Sequence, residues 1–428
     1  MKIYDLACGG SISDALAELK GRSELRLSEI DEAVKAILAE VRRDGDAALR
    51  RFASQYDGFE LGEIKVAQEE IDEAYESVSP EFLEALNAAR DNIAAYHSRQ
   101  QYSPLSYGEG GIRISQRALP LDRVGIYVPG GSYPYPSTVL MCAVPAACAG
   151  VKQIAMATPA KQGGKVSPKI LAAARIAGVT EVYKTGGAQA IGALAFGTET
   201  IPAVDKICGP GNVYVTAAKR LVFGHVGIDM LAGPSEVLVI ADHRATPAYV
   251  AADMLAQAEH DANAAAVLVT LSKELALAIE QELESQLSRL PADSLAHASI
   301  KANCYAFIAR SLQQAVEISN AIAPEHLELA CENPEELLPL VRHAGSVFLG
   351  DYAPEPLGDY LAGPNHTLPT SGTARFFSPL SAYDFMKRMS VIYYDKEALA
   401  QSKDMVARFA REEGLEAHAR SVLRRFEE

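Results

Sequence analysis

Glu325 and His326 stand side by side in APEHLEL, directly after Pro324 and at the head of a mostly apolar stretch. A carboxylate beside an imidazole can move protons at a single reacting atom, because imidazole titrates near neutrality and a desolvated carboxylate is a stronger base. If a strand begins here, alternation places Glu325 with Leu327 and Leu329 on the apolar face and His326 with Glu328 on the other. Burial on the apolar face raises the carboxyl pKa toward the range useful to a general base. The alternative is a capping glutamate and a surface histidine at a polar loop-to-strand junction. Pro324 is expected to hold Ala323 extended and so to end the preceding helix, whose stripe is Leu312, Ala315, Val316, Ser319 and Ile322.

Three other stretches carry groups able to ligate a metal. Asp253, Gln257 and His260 share one face of a helix that Thr246 and Pro247 open. Gln257 and His260 could bind one ion together, or all three could form a solvated polar face. The Gly- and Pro-rich segment 350–372 holds Asp351, Asp359 and His366. A long loop of this kind is commonly functional, and its carboxylates and imidazole fit a mixed N/O zinc site. Asx-turn chemistry is the competing explanation for the aspartates. Near the end, FAREEGLEAHARSV brings Glu413 and His418 to either side of Gly414, in what otherwise reads as an exposed charged helix.

Two glycine turns complete the set. GPGNVY, from Gly209, lacks the third glycine of the dinucleotide fingerprint, because Tyr214 stands there. GAQAIG has Walker-type spacing between Gly187 and Gly192 but places Ala193 where lysine belongs. Neither is a standard signature, yet tight strand-to-helix turns of open α/β sheets are where ligands bind.

These residues need a scaffold, and the apolar patterning describes one. Residues 27 to about 105 show the three-and-four spacing of amphipathic helices. From about residue 119 short β-rich runs alternate with helices: RVGIYV, QIAMAT, EVYKT and VDKIC, then again EVLVIAD, AAVLVTL, CYAFIA, HLELAC and SVFLG. Such alternation implies parallel strands with right-handed crossovers. The fold class expected is α/β: two similar Rossmann-like units with parallel sheets, plus helical N-terminal and C-terminal extensions. The boundaries expected are 1–26 for an N-terminal extension, 27–128 with 236–381 for a discontinuous first α/β domain, 129–235 for a second, and 382–428 for a helical tail.

Composition excludes several classes. A net charge of −15 over 428 residues disfavours binding to nucleic acid or an anionic membrane surface. The longest apolar run, TVLMCAVPAACAGV, is broken by Pro145 and is shorter than the roughly 20 residues of a membrane helix. The N-terminus has no apolar signal core, and the six cysteines (Cys8, Cys142, Cys148, Cys208, Cys304, Cys331) form no CxxC pair. The reading is a cytoplasmic protein with free thiols.

Taken together, VGIYVPGG, TGGAQAIGALAFGT, KICGPGNVYV, LAGPSEVLVIAD, DMLAQAEHD, APEHLEL, LGDYLAGPNHTLPTSGTARF and EEGLEAHARSV resemble the histidinol dehydrogenase family, in order and over nearly the whole chain. The resemblance implies one zinc per subunit held by Gln257, His260, Asp359 and His418, with catalysis by Glu325 and His326. It implies substrate contacts from Ser235, His366 and Glu413 in addition to His326 and the metal ligands, and NAD contacts from Tyr127, Gln189 and Asn212. The implied reaction takes L-histidinol and two NAD to L-histidine through an aldehyde, the last step of histidine biosynthesis. An intertwined homodimer is also implied, its C-terminal tail reaching the partner's site. Bottom-up alternatives are a zinc hydrolase without NAD, an aldehyde dehydrogenase with a cysteine nucleophile, and a non-catalytic binding protein.

Overall fold

The computed structural model describes residues 1–7, 13–130, 134–161 and 163–427, with the side chains of 14, 15, 18 and 20–29 outside the description. Cys8 therefore lies outside it.

The chain begins with β1 (Lys2–Asp5) and α1 (Ser13–Phe52), which bends at Gly45 (φ 53°, ψ −130°). A Cβ on Gly45 would strike the Glu199 carboxylate, which accepts the Asp46 N–H at 2.8 Å, so the bend needs glycine for both its dihedral and its space. Then come α2 (Gln68–Ser77) and α3 (Pro80–His97), whose Ser79 cap accepts the Phe82 N–H as the sequence suggests. β2 (Leu105–Tyr107) and β3 (Ile112–Pro120) follow.

A first α/β run contains β4 (Arg123–Tyr127), α4 (Pro136–Ala149), β5 (Gln153–Thr158), α5 (Pro168–Ala177) and β6 (Glu181–Lys184). It continues with α6 (Gly187–Phe196), β7 (Lys206–Cys208), α7 (Val213–Val222) and β8 (Gly227–Ile228). The second run contains β9 (Glu236–Ala241), α8 (Pro247–Ala258), β10 (Ala265–Thr270), α9 (Lys273–Leu287), α10 (Ala296–Asn303) and β11 (Cys304–Ile308). After these are α11 (Leu312–Ile322), β12 (His326–Ala330), α12 (Pro334–Leu337), β13 (Ser346–Leu349) and α13 (Glu355–Tyr360). The chain closes with β14 (Met386–Tyr394), α14 (Lys396–Glu412) and α15 (Glu416–Leu423).

The first run makes a five-stranded sheet ordered β6-β5-β4-β7-β8 and the second a six-stranded sheet ordered β1-β11-β10-β9-β12-β13. Every neighbouring pair in both is parallel. Both faces of each sheet are covered, as parallel sheets require. In β9, for example, Val237, Val239 and Ala241 enter one apolar cluster and Leu238 and Ile240 the opposite one. The expected pair of parallel α/β units is thus the observed architecture.

Two compact units divide the chain: Met1–Gln100 with Leu121–Phe385, and Gln101–Pro120 with Met386–Glu428. The first holds both parallel sheets. The second holds the antiparallel sheet β14-β3-β2 and the α14–α15 pair, which packs through Ala407, Ala410 and Ala419. The C-terminal part is therefore not wholly helical: MKRMSVIYY pairs along its length with β3. Residues 27–128 also pack differently from the grouping expected for them. β4 is the central strand of the five-stranded sheet, and Val34, Leu38 and Val41 of α1 share a cluster with Ile191 and Leu194 of α6. Ile71, Leu86 and Ile93 of α2 and α3 join the cluster of α4 and α5. An amphipathic stripe shows that a helix has a buried face, and does not show which sheet that face meets.

Candidate active site

In a parallel βαβ unit the helix runs antiparallel to its strands, so the end of a helix returns to the edge where strands begin. The end of α8 therefore delivers Gln257 and His260 to the amino edge of the six-stranded sheet. β12 begins at the same edge, with His326 registered against Val237 of β9 and Ser346 of β13.

The Glu325–His326 pair is fixed by backbone as well as side chains. Gly345 and Ser346 donate their N–H groups to the carbonyls of Pro324 (3.0 Å) and Glu325 (2.9 Å). A Cβ on Gly345 would lie 2.5 Å from the Glu325 carbonyl oxygen, so this approach requires glycine. Ala323 is not extended as expected. It is left-handed (φ 56°, ψ 64°), caps α11 and donates its N–H to the Ser319 carbonyl at 2.7 Å. The cap overrides the bias that Pro324 imposes, at a cost of roughly 1–2 kcal/mol for a residue with a Cβ.

Leu327 and Leu329 enter the apolar cluster as alternation expects, but β12 begins only at His326, so Glu325 precedes the strand and its Oε2 lies 3.8 Å from His326 Nδ1. Both residues are buried, Glu325 6% exposed and His326 4%. Burial pushes the Glu325 carboxyl well above its ordinary range, against the opposing pull of the Glu236 N–H and the Ser235 side chain, both of which hydrogen-bond to it. Burial also holds the His326 imidazole down at about 4, so it is neutral at neutral pH. Its Nδ1 lies 3.3 Å from the Glu236 carbonyl, which can only accept, so Nδ1 carries the proton and Nε2 keeps its lone pair. Nε2 faces Glu355 Oε1 at 3.6 Å.

The stretch expected to be a loop contains α13, and this short helix makes the opposite wall. Glu355 and Asp359 are four residues apart and share its inner face, with Glu355 1% exposed and Asp359 9%. Asp359 Oδ2 is 3.9 Å from His260 Nε2, and its Oδ1 is 3.8 Å from His366 Nδ1. His366 Nδ1 also contacts the Asp359 carbonyl at 3.1 Å. Burial lowers the His366 pKa and raises that of Glu355 to about 10, the latter reinforced by the charge of Asp359. A cavity of about 220 Å³ opens among His326, Phe348, Asp359, Asn365 and His366.

These groups suit a metal. Ligand atoms of His260, Glu355 and Asp359 lie within 4.8 Å of one another. Gln257 is 1% exposed, and its Oε1 is buried with no hydrogen-bond partner among the described residues. A buried amide oxygen without a donor is costly unless something else satisfies it. Carboxylate, imidazole and amide oxygen together form the mixed N/O set that zinc accepts.

Of the other residues singled out, Asp351 is exposed on its turn. Asp253 hydrogen-bonds Glu328 rather than joining the donor group, and burial raises its pKa to about 6. Glu413 caps the end of α14 and His418 lies on α15, both exposed and both in the second unit. Glu355 and Glu236 were not anticipated, and Glu328 only as the residue that shares a strand face with His326. The available signal for Glu355 was its spacing from Asp359 behind Pro354, which reads as a helix start once the segment is not taken for a loop.

The glycine turns lie at the carboxyl edge of the five-stranded sheet, around β4, from which the strand order runs outward in both directions. Tyr127 ends β4, and its hydroxyl accepts the Gly187 N–H at 3.1 Å at the start of α6. Gln189 lies in the first turn of that helix; it and Tyr127 are each 4% exposed. Asn212 is exposed and caps α7, its Oδ1 accepting from the Tyr214 and Val215 N–H groups at 3.1 Å each. A Cβ on Gly209 (φ +113°) would sit 2.2 Å from the Tyr127 carbonyl oxygen. The buried Lys219–Asp229 ion pair pins the same turn: Asp229 accepts the Gly209 N–H at 2.7 Å and Lys219 donates to the Gly209 carbonyl at 3.0 Å. The cysteine alternative fares poorly, because Cys142 and Cys208 are buried and burial raises both thiols, Cys142 to about 12.

Known proteins resemble this chain along nearly its whole length. The family model described as histidinol dehydrogenase matches residues 20–426. A histidinol dehydrogenase of Listeria monocytogenes is 51% identical over 421 residues, covering 98% of each chain. One from Caldanaerobacter subterraneus is 53% identical over 411 residues, covering 96% of this chain and 95% of that one. The crystal structure of histidinol dehydrogenase from Elizabethkingia anophelis superposes with a TM-score of 0.93 at 38% identity, covering 100% of this chain and 98% of that one. On the family model and these relatives, the chain belongs to the histidinol dehydrogenase family and is an NAD-dependent oxidoreductase.

Proposed function

We propose that this enzyme oxidises L-histidinol to L-histidine through the aldehyde, using two NAD and one zinc per subunit, and so completes histidine biosynthesis. The observation that carries the reading is the 220 Å³ cavity walled on one side by His326 and on the other by Asp359 and His366. His326 Nε2, with Nδ1 occupied by a backbone carbonyl, takes the alcohol proton as hydride leaves the carbinol carbon. Glu325 deprotonates the water that adds to the aldehyde, and its burial makes it a strong enough base for that task. His326, having released the first proton to solvent, then takes a proton from the hydrate as the second hydride passes to the second NAD. Adjacent residues serve both oxidations because both occur at one carbon.

Gln257, His260 and Asp359 would hold the zinc, with His418 as fourth ligand, and Glu355 stands within reach of the same donors. When bound, zinc would orient the imidazole and amine of the substrate, the template role of a metal. Ser235, His366 and Glu413 complete the substrate contacts in this reading. NAD would lie at the carboxyl edge of the five-stranded sheet, near Tyr127, Gln189 and Asn212, where Gly209 keeps the turn tight. Glu413 and His418 would come from a second copy of the chain, as a homodimer. A cytoplasmic location is consistent with free thiols at all five described cysteines.

The test is histidinol-dependent formation of NADH. It should disappear on chelation and return when zinc is added. NADH formation unaffected by complete metal removal would sink the zinc assignment, and none from the metal-loaded enzyme would sink the substrate assignment.

A further inference from the structure

Pro145 lies inside α4. Proline has no N–H, so the carbonyl four residues earlier, on Met141, loses the helical donor it would otherwise receive. That carbonyl is in a fully buried setting, with Met141 0% exposed, where an unmet acceptor is costly. Asn365 supplies the donor from 224 residues away: its Nδ2 donates to the Met141 oxygen at 2.6 Å. The other end of the same amide is also used, Oδ1 accepting the Thr367 N–H at 2.8 Å. His366 sits between these two anchored residues. Asn365 is 4% exposed, and it lines the cavity beside His366.

The connection joins two layers with different tasks. α4 packs into the core of the five-stranded sheet, whose carboxyl edge carries the glycine turns. The Asn365 segment carries His366, which contacts Asp359 at the amino edge of the other sheet.

We infer that Asn365 is a positioning residue: it latches the His366 segment onto the backbone acceptor that Pro145 leaves open in α4, and thereby sets where His366 meets the substrate. The inference rests on the reading of His366 as a substrate contact. It also assigns Pro145 a use, since a proline inside a buried helix is otherwise only a cost.

The test is a double-mutant cycle on the full-length, zinc-loaded enzyme. Asn365→Asp keeps the acceptor for Thr367 and removes the donor for Met141. It should raise KM for histidinol on the order of tenfold, the size expected for one buried hydrogen bond, with KM for NAD and zinc content unchanged. Pro145→Ala lies outside the substrate cavity and gives Met141 a helical donor that competes with Asn365. It should also raise KM for histidinol while thermal stability holds or increases, a combination that a merely structural role would not produce. The double variant should be no worse than Asn365→Asp alone, because both changes act through one bond. Amide hydrogen exchange read without substrate should show Thr367 less protected in Pro145→Ala. Additive effects on KM, or unchanged KM and unchanged exchange in Pro145→Ala, would overturn the inference. Wild-type enzyme that fails to oxidise histidinol would instead sink the functional reading, while the exchange arm still reports on the latch. Should Asn365→Asp fail to fold, Pro145→Ala decides by its KM and exchange alone.

Discussion

At the scale of residues, the division of labour between Glu325 and His326 follows from what each touches. His326 is neutral, with Nδ1 tied to a carbonyl and the Nε2 lone pair turned toward Glu355, and a neutral imidazole is the form a base must take. His326→Asn keeps the backbone register and removes the base. Turnover should fall roughly 10²–10⁴-fold with bound zinc unchanged, measured by steady-state rate and metal content together. Glu325 presents the opposite problem, because burial favours its protonated form while its task needs the ionised one. Its stabilising contribution is fully present below the ordinary carboxyl range and is lost as pH rises through its raised folded value. Aldehyde oxidation should therefore show an acid limb well above 4.5, the ordinary value. Glu325→Gln should abolish that limb and be more stable than wild type on the alkaline side, by thermal melts across pH. The pair itself was legible in the sequence, since two adjacent titratable groups at the head of an apolar run call for a reason. Glu355 was not, because a lone glutamate between prolines carries no mark of burial until a helix aims it at His326.

At the scale of elements, the turn after β7 illustrates how backbone shape serves a site. Gly209 combines a left-handed backbone with a 2.2 Å approach of any Cβ to the Tyr127 carbonyl. Gly209→Ala should raise KM for NAD more than KM for histidinol and cost more than about 1 kcal/mol of stability, measured by kinetics and denaturant melts. Strands and helices of the two parallel sheets could be read from alternation because buried parallel strands form short apolar runs bounded by turns. α13 was hidden, at six residues too short to display a helical period. β14 was hidden for another reason: it is largely exposed, so its pairing with β3 leaves little apolar pattern. Ala323 shows the limit of a local rule, since its helix cap outweighs the proline that follows it.

At the scale of the whole molecule, the proposed ligand set is Gln257, His260 and Asp359 with a His418 that would come from a second copy of the chain. If His418 serves a second copy of the chain, mixing inactive His418→Ala and His326→Asn chains should restore activity, because one site of each heterodimer is then intact. No recovery in a verified heterodimer would assign each site to one chain. The placement of 27–97 against the five-stranded sheet was not legible, because helix patterning names a face and not a partner. The central claim is that the site amino-terminal to β12 carries out two successive oxidations, with His326 serving both and Glu325 activating the water that only the second requires. It is tested most directly by counting NADH per histidinol consumed. Wild type should give two, with histidine as product, and Glu325→Gln should give one with the aldehyde accumulating. Equal loss of both oxidations in Glu325→Gln would contradict the account.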